Sequence, residues 1–146
     1  MPDDTFMNLA IEEALQARRD GELPIGAVIV AGGRVVSRDR CRETAQQTVL
    51  AHAEMHAVND ACKALGRNIL QDCVIYCTNE PCLMCSAAIF QARIARVVIG
   101  ASRSDFPTVF RPRKLRVEDL AADSGYAPVI IRDVMRDRII ALFADV

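Results

Sequence analysis

Residues 73–92 read CVIYCTNEPCLMCSAAIFQA and place a strand directly before a helix. The first five residues form an apolar run that is typical of a buried strand. Pro81 suits the first turn of a helix, where its missing N–H is not needed. Apolar residues at helical spacing then follow through Cys85 and Ile89. A buried strand that passes at once into a helix is the unit from which α/β sheets are built.

The same alternation extends outward along the chain. Gly32 and Gly33 provide the backbone freedom for a tight hairpin, and Gly66 ends a helix that begins near His52. Residues 39–50 are polar and irregular. We predict a three-layer α/β/α fold with a five-stranded mixed sheet, antiparallel at the hairpin and otherwise largely parallel. The predicted strands are 27–30, 34–37, 73–77, 95–100 and 128–131. The predicted helices are 6–19, 52–65, one that begins within 80–85 and runs through Ala92, and one from 133 to about 143.

Length, charge and the start of the chain set broad limits. A single domain over residues 1–146 accounts for the whole sequence. Eighteen Lys and Arg against 19 Asp and Glu give a net charge of −1, so the overall electrostatic signature of a nucleic-acid binder is missing. No apolar stretch is long enough to span a membrane, and the acidic start MPDDTFMNLA has no signal-peptide core. We therefore expect a cytoplasmic protein whose six cysteines are not disulfide-bonded.

Cys82 and Cys85 lie three residues apart in the first turn of a predicted helix. Both sulfurs therefore point the same way, and the helix N-terminus favours their thiolate forms. His52 stands at the start of another predicted helix and completes a Cys2His set. Three protein ligands leave zinc a fourth position open for water, whereas structural zinc sites usually have four protein ligands.

The remaining cysteines and the second histidine fit other roles. Cys73 and Cys77 share one face of a buried strand, and Cys62 lies on the apolar stripe of a helix, so all three are predicted to pack in the core. His56 follows His52 by one helical turn. Its HAEMH context lacks the glutamate next to the first histidine that metalloproteases carry. We favour packing or hydrogen bonding for His56, with metal ligation as the alternative.

Glu54 follows the metal histidine by two residues. A carboxylate within reach of a water on zinc can take its proton, because the metal lowers the pKa of that water to about 7. Glu54 is therefore the candidate general acid and base of a hydrolytic reaction.

The pattern His-x-Glu followed by Pro-Cys-x-x-Cys resembles the cytidine deaminase-like superfamily of zinc hydrolases. The similarity covers Pro24–Val28, Ala51–Glu54 and Glu80–Cys85 and extends over most of the chain. It implies a five-stranded sheet between helices, one Zn²⁺ per chain and a proton shuttle at Glu54. It also implies hydrolysis of an exocyclic amine with release of ammonia, substrate contacts at the Ala53 backbone, and a homodimer.

Within this superfamily, the chain resembles the branch of guanine, cytosine and tRNA adenosine deaminases. Members commonly carry an Asn eleven residues before the metal histidine, where its amide contacts the base, and this chain has Cys41 there. Ile25 is expected to form an apolar wall of the substrate pocket. Phe110 is expected either to stack on a planar substrate or to anchor its loop to the core.

Three functions follow from these observations. The first is deamination of a small heterocyclic amine, such as a free purine or pyrimidine base, with water as the second substrate. The alternative is adenosine-to-inosine deamination of tRNA, in which the basic run Arg111–Arg116 would contact phosphates. The neutral net charge, the segment 101–110 in place of the glycine-rich loop usual in tRNA deaminases, and the missing Arg- and Lys-rich final helix favour the small molecule over RNA. The exchange at Cys41 indicates that the usual base is not the substrate. The third is an inactive zinc-stabilised scaffold, which the presence of Glu54 disfavours.

Overall fold

The computed structural model describes residues 2–146 as alternating strands and helices. The five strands are β1 (Gly26–Ala31), β2 (Arg34–Arg40), β3 (Cys73–Asn79), β4 (Arg96–Ala101) and β5 (Val129–Ile131). The six α-helices are α1 (Pro2–Arg19), α2 (Glu43–Gln46), α3 (Ala53–Leu65), α4 (Leu83–Gln91), α5 (Val117–Ser124) and α6 (Arg136–Ala141). A short 3₁₀ helix covers Arg103–Asp105.

The strands form one mixed sheet in the order β2-β1-β3-β4-β5. The β1 strand pairs antiparallel with β2 and with β3, whereas β3 with β4 and β4 with β5 are parallel. Four strands therefore run in one direction and β1 runs against them. The mixed, five-stranded α/β sheet confirms the predicted fold class. The prediction of a largely parallel sheet holds on only one side of β3, because the hairpin places β1 between β2 and β3.

Two apolar layers enclose the sheet. On one face, the α3, α4 and α5 helices cover alternate strand residues, including Ile75 and Cys77. On the other face, α1 and α6 cover the intervening residues, including Tyr76. Cys73 and Cys77 are fully buried in the first layer and Cys62 packs against it, as their spacing predicts.

The start of β1 packs directly on α1. A Cβ atom at Gly26 would lie 2.0 Å from the backbone oxygen of Ala10 and 2.9 Å from the backbone nitrogen of Ala14. Only glycine allows this approach. The contact fixes the beginning of β1, and with it the position of Ile25 one residue earlier.

Three differences from the predicted elements concern segments that the apolar periodicity does not mark. The strand β2 continues to Arg40, and α2 and α5 form where no helix is predicted. The final helix is shorter than 133–143, because Asp133 and Met135 have φ values of 66° and 58°, which a helix cannot contain. The α5 helix shows only two buried residues, Val117 and Ala121, so its apolar stripe is too short to recognise.

In the part of the chain described here, no helix combines the length and the apolar character that a membrane crossing needs.

Candidate metal centre and pocket

Two helix N-termini meet where β3 ends. His52 is the N-cap residue of α3 and Cys82 is the N-cap residue of α4, and both have extended backbone angles. Cys85 lies in the first turn of α4 and is fully buried. The free N–H groups of both helices and their dipoles therefore place positive potential around these three side chains.

The three predicted ligand atoms form a compact triangle. His52 Nδ1 lies 3.6 Å from Cys82 Sγ and 3.4 Å from Cys85 Sγ, and all three atoms lie within 4.8 Å of one another. Tetrahedral zinc with ordinary Zn–N and Zn–S bonds separates nitrogen from sulfur by about 3.5 Å. The triangle therefore fits zinc, and His56 is not part of it.

The three ligand groups lie so close together that they shift one another's pKa values. The pKa of Cys82 falls to about 4, because Cys85 and His52 hydrogen-bond to its thiolate and outweigh the effect of burial. The pKa of Cys85 is raised, because its thiol donates to Cys82 and is itself buried. The Cys82 interaction also raises the pKa of His52 to about 9. A divalent cation bound by these groups would displace the protons of His52 and Cys85.

Glu43 orients the histidine ligand. Its Oε1 lies 2.5 Å from His52 Nε2, which leaves Nδ1 directed at the two sulfurs. A carboxylate on the far nitrogen is the usual partner of a zinc-bound histidine, since it fixes the ring orientation and makes the ligand more basic. Sequence reasoning missed Glu43, because nothing distinguishes it from the other polar residues of the 39–50 segment.

Glu54 lies in the first turn of α3, at the floor of a pocket beside His52 and Cys82. The residue is 4% exposed, and its Oε1 has no hydrogen-bond partner among the described residues. Burial and the nearby Cys82 thiolate raise the pKa of Glu54 to about 7. A buried carboxyl group with a free oxygen at the mouth of a metal site is placed to exchange protons with a molecule in the pocket.

The pocket has a volume of about 310 Å³, near the lower end of the range for small-molecule sites. All the substrate-binding residues predicted from the sequence line it: Ile25, Cys41, Ala53 and Phe110. Leu23 and Val109 extend the apolar walls. The pocket lies at the carboxyl ends of β2, β3 and β4, which is the edge where ligands bind in open α/β sheets.

The surroundings of Cys41 and Phe110 determine which contacts each residue can make with a molecule in the pocket. Cys41 is 4% exposed, and burial raises its pKa, so it faces the pocket as a neutral thiol. Phe110 makes edge contacts with Phe106 and Phe143, and the Arg103 guanidinium lies 5.4 Å from its ring centre. Phe110 thus both lines the pocket and anchors its loop, so the two alternatives for this residue are not exclusive.

Asn79 ends β3 and Glu80 follows it, and sequence reasoning missed the roles of both pocket residues. Glu80 accepts hydrogen bonds from Arg116 Nε at 2.7 Å and from Arg132 at 3.2 Å, and one from the Arg103 backbone at 3.1 Å. Burial would raise the pKa of Glu80, but these contacts lower it to about 2. Arg116 is therefore held by Glu80 and is not a free member of the basic run.

Asn79 is buried, with 4% exposure. Its Oδ1 accepts a hydrogen bond from Thr78 Oγ1 at 3.0 Å, while its Nδ2 has no partner in residues 2–146. The sequence shows that Asn79 stands directly before the Glu-Pro-Cys motif, but it does not show how the side chain is hydrogen-bonded.

A second, smaller cavity adjoins the pocket. It has a volume of about 180 Å³ and is lined by Arg103, Arg113 and Arg116, together with Phe110 and two prolines. Arg103 and Phe110 also line the main pocket. Burial and the positive charge of Arg113 lower the pKa of Arg103, which shows how closely the cations are placed.

Residues 1–101 match the family described as "Cytidine and deoxycytidylate deaminase zinc-binding region". The matched region includes His52, Cys82 and Cys85. The family and the geometry of these three residues both indicate zinc as the cofactor. The chain is similar to a tRNA-specific adenosine deaminase of Bacillus subtilis (strain 168), with 46% identity over 100 residues, 68% of this chain and 62% of that protein. The aligned region thus spans about three fifths of that relative's length.

Solved structures share the fold over most of the chain. One, from a study of A-to-I editing by tRNA:A34 deaminases at the wobble position of transfer RNA, has a TM-score of 0.83 and 34% identity, and covers 94% of this chain and 98% of that one. Another is a guanine deaminase of Bacillus subtilis, with a TM-score of 0.68 and 30% identity, covering 83% of this chain and 90% of that one.

Proposed function

Because the chain belongs to the family that carries the cytidine and deoxycytidylate deaminase zinc-binding region, we propose that it is a hydrolytic deaminase converting adenosine to inosine in tRNA. The similarity to tRNA-specific adenosine deaminases, at 46% identity, is the observation that carries this proposal. This similarity favours adenosine in tRNA as the substrate, in place of the free base that the sequence alone favoured.

Zinc, when bound by His52, Cys82 and Cys85, acts as a Lewis acid that lowers the pKa of water. Glu54 moves the protons. Its carboxylate takes a proton from the attacking water and delivers one to a ring nitrogen of the base. It then passes a proton to the departing amine, so that water and the amine-bearing carbon yield a carbonyl group and ammonia. The burial of Glu54 suits this role, because its pKa lies near the pH at which it must both accept and donate.

The pocket holds the base and excludes solvent. Ile25 and Phe110 provide apolar surfaces that a planar ring can contact, and the volume of about 310 Å³ accommodates a single base. An adenosine in RNA must therefore leave its stack and enter the pocket alone, as other nucleic-acid deaminases require.

The smaller cavity, lined by Arg103, Arg113 and Arg116, favours a polynucleotide as the substrate because it places positive charge beside the pocket. Arg103 contributes to both cavities, so a phosphate beside the target nucleotide would meet Arg103 and Arg113 while the base lies in the pocket. Arg116 already bonds Glu80 and adds little free charge. This local patch explains how a chain with a net charge of −1 can contact RNA.

The test is turnover on two classes of substrate. Zinc-loaded protein is incubated with tRNA transcripts carrying adenosine in the anticodon loop, and with adenine, guanine, cytosine and their nucleosides, while inosine formation and ammonia release are measured. We expect inosine in the RNA, and we expect Glu54→Gln to lose at least a thousandfold in kcat. Arg113→Ala should lower kcat/KM on RNA about tenfold, whereas Arg34→Ala, an exposed arginine on the β1–β2 hairpin, should not.

A free-base deaminase is the second candidate. It is favoured by the small size of the pocket and by the 30% identity to a guanine deaminase structure. Ammonia release from a free base, unaffected by Arg113→Ala and without inosine in any RNA, would establish it in place of the tRNA proposal.

We propose that the chain acts as one domain and forms a homodimer, in keeping with the resemblance of the sequence. Light scattering on the eluting protein should give twice the 16.1 kDa chain mass. A monomer mass at micromolar concentration would reject the dimer.

A further inference from the structure

Asn79 is the last residue of β3 and one of the residues that line the pocket. The backbone N–H of Gly26 donates to Thr78 Oγ1 at 3.0 Å, which leaves the Thr78 hydroxyl proton free to bind Asn79 Oδ1 at the same distance. Thr78 could also donate to Gly26 O, but that distance is longer, at 3.3 Å. The amide of Asn79 is thus held through Oδ1 by Thr78, and Nδ2 is the end of the amide that remains without a hydrogen bond.

The Nδ2 group of Asn79 has two N–H donors and no partner among the residues from Pro2 to Val146. A buried amide donor without an acceptor destabilises the protein that carries it. Such groups persist in proteins where a ligand completes them. Along the chain, Asn79 also stands directly before the Glu-Pro-Cys segment that carries the metal ligand Cys82.

Apart from Glu54, whose free Oε1 serves the proton transfer, the other polar side chains of the pocket have partners. Glu43 bonds His52, and Glu80 bonds two arginines and a backbone N–H. The Arg103 side chain donates to the backbone oxygen of Arg111 at 2.6 Å. Cys41 presents only a thiol, which is a weak donor. Asn79 is therefore the neutral amide that remains free to contact a heterocycle.

We propose that Asn79 Nδ2 donates a hydrogen bond to an acceptor atom of the bound heterocycle, and that Asn79 thereby determines which rings this pocket accepts. Asn79 would supply, from the end of β3, the amide that Cys41 cannot supply from the end of β2. The proposal rests on the proposed function only in that a heterocycle occupies the pocket, and it holds for an RNA base or a free base alike.

The test combines three variants with ligands that lack single acceptors. Asn79→Leu removes the donor at nearly constant volume, Asn79→Asp replaces it by an acceptor, and Asn59→Leu is the control at an exposed asparagine of α3. Each is made in the zinc-loaded Glu54→Gln protein, so that ligands are bound but not converted. Dissociation constants are measured for RNA hairpins carrying adenosine or its 1-, 3- or 7-deaza analogue, and for the corresponding free bases.

We expect one deaza analogue to bind about tenfold more weakly than adenosine when Asn79 is present, and to lose this difference in Asn79→Leu. Asn59→Leu should keep it. Asn79→Asp should reverse the preference, because an acceptor repels the ring nitrogen that an amide donor attracts. If the penalty for every analogue is the same with Asn79 and with Leu, the proposal is wrong.

Unfolding without ligand gives an independent result. A free donor predicts that Asn79→Leu unfolds at the same temperature as the parent or higher, since it removes an unsatisfied group. A fall of several degrees would show that Asn79 holds the protein together and would overturn the proposal.

The two proposals fail separately. Coupling to Asn79 on free bases, with no binding or deamination of RNA, would reject the tRNA function and keep Asn79. Deamination of RNA that is equal in the Glu54-containing Asn79→Leu and parent proteins would reject Asn79 and keep the function. Absence of any purine binding would reject both.

Discussion

Glu43 shows how much a single carboxylate outside the sequence motifs can matter to the site. It lies beside the ligand triangle and contacts His52 at Nε2, the ring nitrogen that does not face the sulfurs. Because a histidine ring that is free to rotate binds metal less well, loss of this contact should weaken zinc binding without removing a ligand.

We expect Glu43→Ala to lower zinc affinity about 10- to 100-fold, with Glu43→Gln in between, because the amide oxygen can still accept from Nε2. The measurement is competition with a chromogenic chelator. Asp123→Asn, at an exposed residue of α5 that is remote from the metal, is the control and should leave the affinity unchanged. Equal zinc affinity in all the proteins would show that Glu43 does not orient the ligand.

Asp39 carries a pH dependence of a different kind. Burial, together with a hydrogen bond and the negative charge of Asp60, raises its pKa to about 7, although Arg42 bonds its Oδ1 at 3.2 Å. The ordinary value is 3.8, so the folded protein holds this proton more tightly than the unfolded chain. Its unfavourable effect on stability is therefore absent below about pH 4, grows as the pH rises to 7, and is complete above that.

Asp39→Asn should accordingly be more stable than the parent by on the order of 1–2 kcal/mol at pH 8, and should lose this advantage at pH 5. The difference between the two proteins in urea unfolding is the quantity to measure, because zinc binding itself depends on pH in both. An advantage that is the same at both pH values would contradict the assignment.

At the scale of elements, the contact between α1 and β1 controls where the pocket wall begins. The Pro-Ile-Gly-Ala-Val segment places Ile25 at the pocket because Gly26 lets the strand approach the α1 backbone. A side chain at position 26 would push apart two backbones, which cannot yield as a flexible side chain can.

Gly26→Ala is expected to cost about 3 kcal/mol of unfolding free energy, because the added Cβ would meet the Ala10 oxygen. Gly33→Ala provides the comparison. Nothing lies within 4 Å of its Cβ position, and only its positive φ of 77° is strained, so it should cost about 1 kcal/mol. Chemical denaturation of both variants measures the ordering, and equal costs would show that α1 moves away freely.

At the scale of the whole molecule, the metal and the core are separate contributions to stability. The two apolar layers contain side chains from all five strands and from the helices that cover them. Both layers extend far beyond the ligand triangle. A chain of this length buries enough surface to fold without a structural metal. Zinc therefore stabilises the native state by binding it and does not create the fold.

We expect chelation to lower the unfolding temperature by about 10 °C while the far-UV circular dichroism at 25 °C stays native, and zinc addition to restore the temperature. Cys82, which is part-exposed and has a low pKa, should become reactive to thiol reagents in the chelated protein, whereas the fully buried Cys73, Cys77 and Cys85 should not. Unfolding at 25 °C on chelation would mean that the metal holds the fold.

The sequence by itself determined what is local. Two cysteines three residues apart, a histidine two residues before a glutamate, and the strand and helix periods all act within one or two turns of chain. The zinc ligands and the α/β class could therefore be predicted, and Glu54 could be named as the candidate acid and base. The four substrate-pocket residues were inferred through resemblance, and the pocket contains each of them.

Only the tertiary structure decided what meets across distant elements. Glu43 reaches His52, Arg116 and Arg132 reach Glu80, and Asn79 lines the pocket, because a sheet edge gathers the ends of separate strands. No period in the chain encodes such contacts, since they depend on which strands become neighbours. The same reason explains the two roles within the basic run. Arg116 bonds Glu80, whereas Arg113 lines the smaller cavity, and a count of charges cannot distinguish them.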